Sequence, residues 1–120
     1  MTPVGYLLDE HTPTYWAAEA QREEPSIEIM RVGTSGAPPY GTPDQDLLLF
    51  CEAAKLILVT CDRRSMYTHI ANHLAGGGVF QGMLAIGRSV TTEQIVNDLV
   101  LIHAIHHAED FIDTVMTLPL

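Results

Sequence analysis

Two short stretches with no charge on either face constrain this chain more than anything else in it. Val4-Gly5-Tyr6-Leu7-Leu8 and Leu56-Ile57-Leu58-Val59 are continuous apolar runs rather than alternating ones. A strand with one wet face alternates, whereas a strand covered on both faces reads as an unbroken apolar run. Runs of the second kind belong to parallel sheets sandwiched between helices. Both runs stop abruptly in charge, the first at Asp9-Glu10-His11 and the second, after Thr60-Cys61, at Asp62-Arg63-Arg64. Open α/β sheets carry their functional groups past the carboxyl ends of the strands. Between the two runs, Thr42-Pro43-Asp44-Gln45-Asp46 opens a helix with two further acids. Three acidic clusters at the ends of elements are the makings of a carboxylate pocket for a metal ion.

The remaining elements follow from periodicity and punctuation. The first strand, about 4–9, leads into a helix from near Pro13, partly apolar through Tyr15, Trp16, Ala18 and Ala20 and ended by Glu23-Glu24-Pro25. Ile27 to Val32 alternates, which predicts a strand with one more exposed face. Gly33 to Gly41, with Pro38-Pro39, is the one long loop, and a segment of that composition reads as mobile. Thr42, Pro43 and Gln45 fit the start of a helix with a capping box, running to about Ala54, with Lys55 at the negative end of its dipole. Ser65 to Ala75 predicts a third helix with Met66, Ile70 and Leu74 on one face, stopped by Gly76-Gly77-Gly78. Val79 to Ile86, interrupted by Gly82, predicts a fourth strand. Thr91 with Gln94 opens a long C-terminal helix to about Thr117, with Ile95, Leu99, Ile102, His106 and Ile112 or Val115 along one face. The order βαβαβαβα predicts a three-layer α/β/α domain, residues 1–120, with a central parallel four-stranded sheet and right-handed crossovers.

Composition narrows the function. One domain of 120 residues buries a substantial core. The apolar runs are too short to span a bilayer, and no basic segment precedes an apolar one as in a signal peptide. With only two cysteines, Cys51 and Cys61, each read as a small buried hydrophobe, the expected location is cytoplasmic. A net charge of −9 with six Lys and Arg residues argues against tight, sequence-independent binding of duplex DNA. Nucleic acid remains accessible to such a chain where divalent ions offset the acids, and an acidic surface also suits a basic protein partner.

Asp9, Asp44 and Asp62 are the candidate catalytic and metal-binding acids, with Glu10 and Asp46 as auxiliaries. A phosphodiester hydrolase needs hard oxygen ligands for Mg²⁺ or Mn²⁺ that leave positions open for water and phosphate. Crowding these acids predicts that repulsion raises the pKa of at least one. Taken singly, the acids are better explained by structure, since Asp44 and Asp46 suit a helix N-terminus and Asp62 suits a cap. The pair Asp9 and Asp62, each following a buried strand, is what raises the functional reading. Arg63 and Arg64 are candidates for gripping a substrate phosphate, and His11 for lining the site. His69 and His73, four apart, and His103, His106 and His107 with Glu109 and Asp110 are a second constellation. It lacks the glutamate of a zincin and any cysteine pair, so local hydrogen bonding explains it better. The three glycines follow a helix and lack the Lys-Ser/Thr of a P-loop, and no serine sits on a nucleophile elbow.

Leu7-Leu8-Asp9-Glu10-His11-Thr12-Pro13, then Pro43-Asp44-Gln45-Asp46-Leu47-Leu48, then Leu58-Val59-Thr60-Cys61-Asp62, together resemble the PIN-like proteins. These are relatives of the PIN nucleases, including the VapC-type toxins of toxin–antitoxin modules. The resemblance implies a parallel sheet between helices and an acidic pocket at the strand ends that binds Mg²⁺ or Mn²⁺ and cleaves RNA. The family acids fall on Asp9, Asp44 and Asp62, with Glu10 and Asp46 nearby. An antitoxin or other regulator is then an expected partner. The chain departs from the family where many relatives carry a second aspartate, because Arg64 stands there. A cation at that place opposes a metal ion or grips a phosphate. A catalytically silent PIN-like protein, acting through protein binding or self-association, is the alternative. The apolar C-terminal helix residues Ile95, Leu99, Ile102 and Ile105 are the surface such an oligomer would share.

Overall fold

The computed structural model describes residues 1–120. Five strands and four α-helices alternate: β1 Tyr6–Leu8, α1 Trp16–Glu23, β2 Ile29–Arg31, α2 Asp44–Ala54, β3 Ile57–Thr60, α3 Arg63–Ala75, β4 Met83–Ile86, α4 Thr92–Ile105 and β5 Val115–Leu118. A 3₁₀ turn, Ala108–Phe111, precedes β5. All strand pairs are parallel, in the order β2-β1-β3-β4-β5. The central runs behave as their composition dictates, since every residue of β1, β3 and β4 is buried. Alternate side chains supply two cores. Tyr6, Leu8, Ile57, Val59, Leu84 and Leu118 pack with Trp16 and Ala20 of α1 and Ile95, Leu99 and Ile102 of α4. Leu7, Leu58 and Met83 pack on the other face with Leu47, Leu48 and Cys51 of α2 and Met66 and Ile70 of α3. The result is a three-layer α/β/α fold. No helix is long and apolar enough to cross a membrane.

The sheet has five strands, where the sequence pattern predicts four. The expected long C-terminal helix ends at Ile105, because His106 and His107 adopt extended backbone. Asp110 accepts the His107 amide and starts the 3₁₀ turn. Neither Gly nor Pro marks this break. Val115 to Leu118 then pairs in register with Met83 to Ile86 as an edge strand, its last residue alone fully buried. An edge strand with one wet face mimics a helical stripe in so short a segment.

Other elements shift locally. The capping box at Thr91 and Gln94 forms as expected, with both reciprocal bonds present. The one expected at Thr42 does not: the helix starts at Asp44, and the Thr42 hydroxyl donates to the Pro39 carbonyl instead. Lys55 ends α2 in the left-handed conformation, φ 57°. On α3, His73 rather than Leu74 completes the buried face with Met66 and Ile70. The fourth strand begins only after Gly82, whose φ is +102° and where a Cβ would collide with the Phe111 carbonyl oxygen. Ile95, Leu99 and Ile102 lie at the centre of the first core, so they offer no shared surface. Only Ile105 of the four is exposed.

Candidate functional site

Successive strands run in one direction from β1 to β2 and in the other from β3 to β5, so the winding reverses between β1 and β3. Their crossover helices leave to opposite faces there, which opens a crevice at the carboxyl ends. Asp9 occupies that point. Its amide donates to the Val59 carbonyl at 3.0 Å, continuing the ladder one residue beyond β1. Asp9 is 8% exposed, and its carboxylate accepts from the His11 amide at 3.0 Å. Burial raises the Asp9 pKa above the ordinary carboxylate value, while hydrogen bonds from Thr60 and from the His11 amide, and the His11 charge, pull it back. No neighbouring carboxylate contributes, so the raised pKa comes from desolvation rather than from the expected crowding of acids.

The other acids are placed one by one around this edge. Asp62 is the residue before α3, but its side chain makes no cap bond; its amide donates to the Thr60 hydroxyl at 3.0 Å. Asp44 heads α2 with His69 of α3 opposite it, at 3.7 Å. Asp46 is exposed and Glu10 half-buried. The Glu10 backbone carbonyl, rather than its carboxylate, is engaged, accepting from Arg31 at 2.7 Å. His11 is exposed and acts through its amide. No three side chains among the His, Cys, Asp and Glu residues converge closely enough to hold a metal ion together. The histidines have local partners instead: buried His73 with Glu52 at 2.9 Å, His103 with the Val4 carbonyl at 2.7 Å, and His106 with Asp110 at 3.4 Å.

What does converge is cationic. A cleft of about 420 Å³ opens past β3, β4 and β5, lined by Cys61, Asp62, Arg63, Arg64, the segment Ala85 to Arg88, and Thr117. Arg63 donates to the Thr117 hydroxyl at 3.3 Å. The Gly87 amide, bonded to the Leu118 carbonyl at 2.8 Å, ties the end of β4 to β5. Cys61 joins the cleft to the crevice. It is exposed rather than buried, and its thiol is pushed up by partial desolvation and by the charge of Asp9. It is therefore a protonated neighbour rather than a nucleophile. Buried Cys51, pushed up to about 12, is inert in the core.

Arg31 is the residue the sequence conceals. Alternation alone puts it on a strand expected to be more exposed, yet it is 7% exposed. Its guanidinium donates to the carbonyls of Thr12 at 3.0 Å, Glu10 at 2.7 Å and Val32 at 3.4 Å, and to the Tyr40 hydroxyl at 2.8 Å. It thus fixes the turn after Asp9 and reaches the 33–41 loop through Tyr40. The signal for it was its phase: Arg31 shares a face with Ile27 and Ile29. The chain matches no protein-family model, no curated protein and no solved structure.

Proposed function

We propose that this chain is a PIN-like hydrolase of RNA whose working edge is the carboxyl ends of β1 and β3. The observation that carries the reading is Asp9, a buried carboxylate at the reversal of the winding, one residue beyond the central strand. Asp62 ends the neighbouring segment, and together the two offer the hard oxygen donors that Mg²⁺ or Mn²⁺ takes. Such ions need only one or two carboxylates, water and phosphate filling the rest. When bound, the ion would supply Lewis acidity and an acidified water. The chain's own groups do the remainder. The His11 amide and Thr60 hold the Asp9 carboxylate in orientation. Arg63 and Arg64, on the first turn of α3, supply cations for substrate phosphate along this edge. Asp44 heads α2 and faces His69. Incubating single-stranded RNA with Mn²⁺ tests the reading: wild type cleaves and Asp9→Asn does not. Equal cleavage by both, or none by either across several substrates, overturns it.

A second reading, a catalytically silent PIN-like protein that acts by binding a regulator such as an antitoxin, is supported by Arg64. It lines the same cleft as Asp62, where its guanidinium opposes a second cation. Arg64→Asp then raises Mn²⁺ affinity in calorimetry. An unchanged affinity shows that Arg64 is not what holds metal off.

A further inference from the structure

The chain has fifteen acidic residues and six basic ones. In such a surplus of acid, three arginines gathered on one wall are conspicuous. Arg63, Arg64 and Arg88, half of all the cations, line one cleft and make no ion pair. They reach it from two elements far apart in sequence, the first turn of α3 and the loop after β4. Parallel pairing of Val59 with Leu84 and Thr60 with Ala85 is what brings the two together. Thr117 of β5 adds a hydroxyl, and Asp62 is the one acid on the wall.

From this arrangement we infer that the cleft is a site for a phosphate monoester, the terminal phosphate of a nucleotide. Three arginines and one aspartate leave a surplus of two positive charges on its wall. A monoester carries close to two negative charges at neutral pH, whereas a backbone diester carries one. Guanidinium forks match phosphate oxygens bidentately. Asp62 leaves the start of α3 without a side-chain cap, so the amides of that turn add to the field rather than being consumed. From β5 only Thr117 reaches the lining, which otherwise comes from the ends of β3 and β4 and the first turn of α3. This inference rests on the reading of the edge as a phosphate-handling one, and it names the end of the substrate that the edge would hold. The same monoester is presented by a free nucleotide and by a phosphorylated RNA end.

The test is calorimetric titration of the full chain in EDTA, so that it is independent of any metal-dependent cleavage. Adenosine 5′-monophosphate binds and adenosine does not. Arg88→Ala and Arg64→Ala each weaken binding about tenfold, the loss expected of one charge-assisted contact. Arg22→Ala, which removes a cation paired with Glu19 elsewhere, leaves binding unchanged. A short RNA with a 5′-phosphate that outbinds its 5′-hydroxyl twin identifies the source as an RNA end. Binding of the mononucleotide alone identifies it as a free nucleotide. Equal binding of the two RNAs, with equal loss in Arg88→Ala, means backbone recognition and overturns the inference. So does binding that is indifferent to Arg88 and Arg64, or no binding of any phosphorylated probe. Asp9→Asn retains the monoester site, so loss of RNA cleavage and loss of this site are separate results.

Discussion

Arg31 and Arg88 stand at opposite ends of one sheet edge, and the difference between them separates architecture from recognition. Arg31 is buried, with four of its five donors spent on three carbonyls and a tyrosine hydroxyl. Arg88 is exposed and paired with no carboxylate. A buried guanidinium is tolerated only where its hydrogens are largely satisfied, and four bonded hydrogens of five leave it little to offer a ligand. An exposed one costs the fold little and keeps its donors available. Charge alone does not distinguish them; the company each one keeps does.

The sharpest way to break this contrast is to remove the first. Arg31→Leu leaves the Glu10 and Thr12 carbonyls and the Tyr40 hydroxyl without their donor, and it should cost about 3 kcal/mol in a denaturant melt. A change below about 0.5 kcal/mol, ordinary for surface positions, would make Arg31 no different from Arg88. Arg88→Ala should in turn leave the melt within about 0.5 kcal/mol of wild type, its effect confined to phosphate binding.

Asp9 sharpens the comparison by sitting between the two regions. An acid whose pKa is raised on folding holds its proton more tightly in the native state, so stability falls as pH rises through the window above its unfolded value. Asp9→Asn should remove that dependence and melt higher than wild type at neutral pH, in scans at several pH values. A lower melting temperature at neutral pH would mean that the hydrogen bonds from His11 and Thr60 outweigh desolvation. Glu52 gives the opposite sign and the smallest effect. The Val79 amide and His73 lower its pKa, so its contribution is present above the ordinary glutamate value and fades as pH falls through its folded value. Glu52→Gln should melt slightly lower at neutral pH, and the gap should close in acid.

How much of this was legible depended on which residues carried it. β1 and β3 were readable because burial on both faces leaves an unbroken apolar signature, and Asp9 was readable as the charge that ends one. The turn at His106-His107 was not, because a histidine in extended backbone carries no breaker signal. β5 was hidden because four residues alternating between a wet and a dry face are too few to tell from a helical stripe. The cleft was half legible. Arg63-Arg64 stands out as the one basic doublet, but Arg88 and Thr117 join it only through strand pairing, which no local window contains.

That last partner has a consequence for timing and for motion. Thr117 belongs to the strand that pairs with β4 alone, and its neighbour's carbonyl holds Gly87 in place. The cleft is therefore assembled by the docking of an outermost ribbon. Whatever occupies it binds the docked form in preference to the frayed one, and mass action then couples occupancy to the order of the ribbon. The amides of Met83 to Gly87 and Val115 to Leu118 would exchange with solvent more slowly as ligand accumulates. Recognition at this end of the molecule acts as a clasp on its own edge.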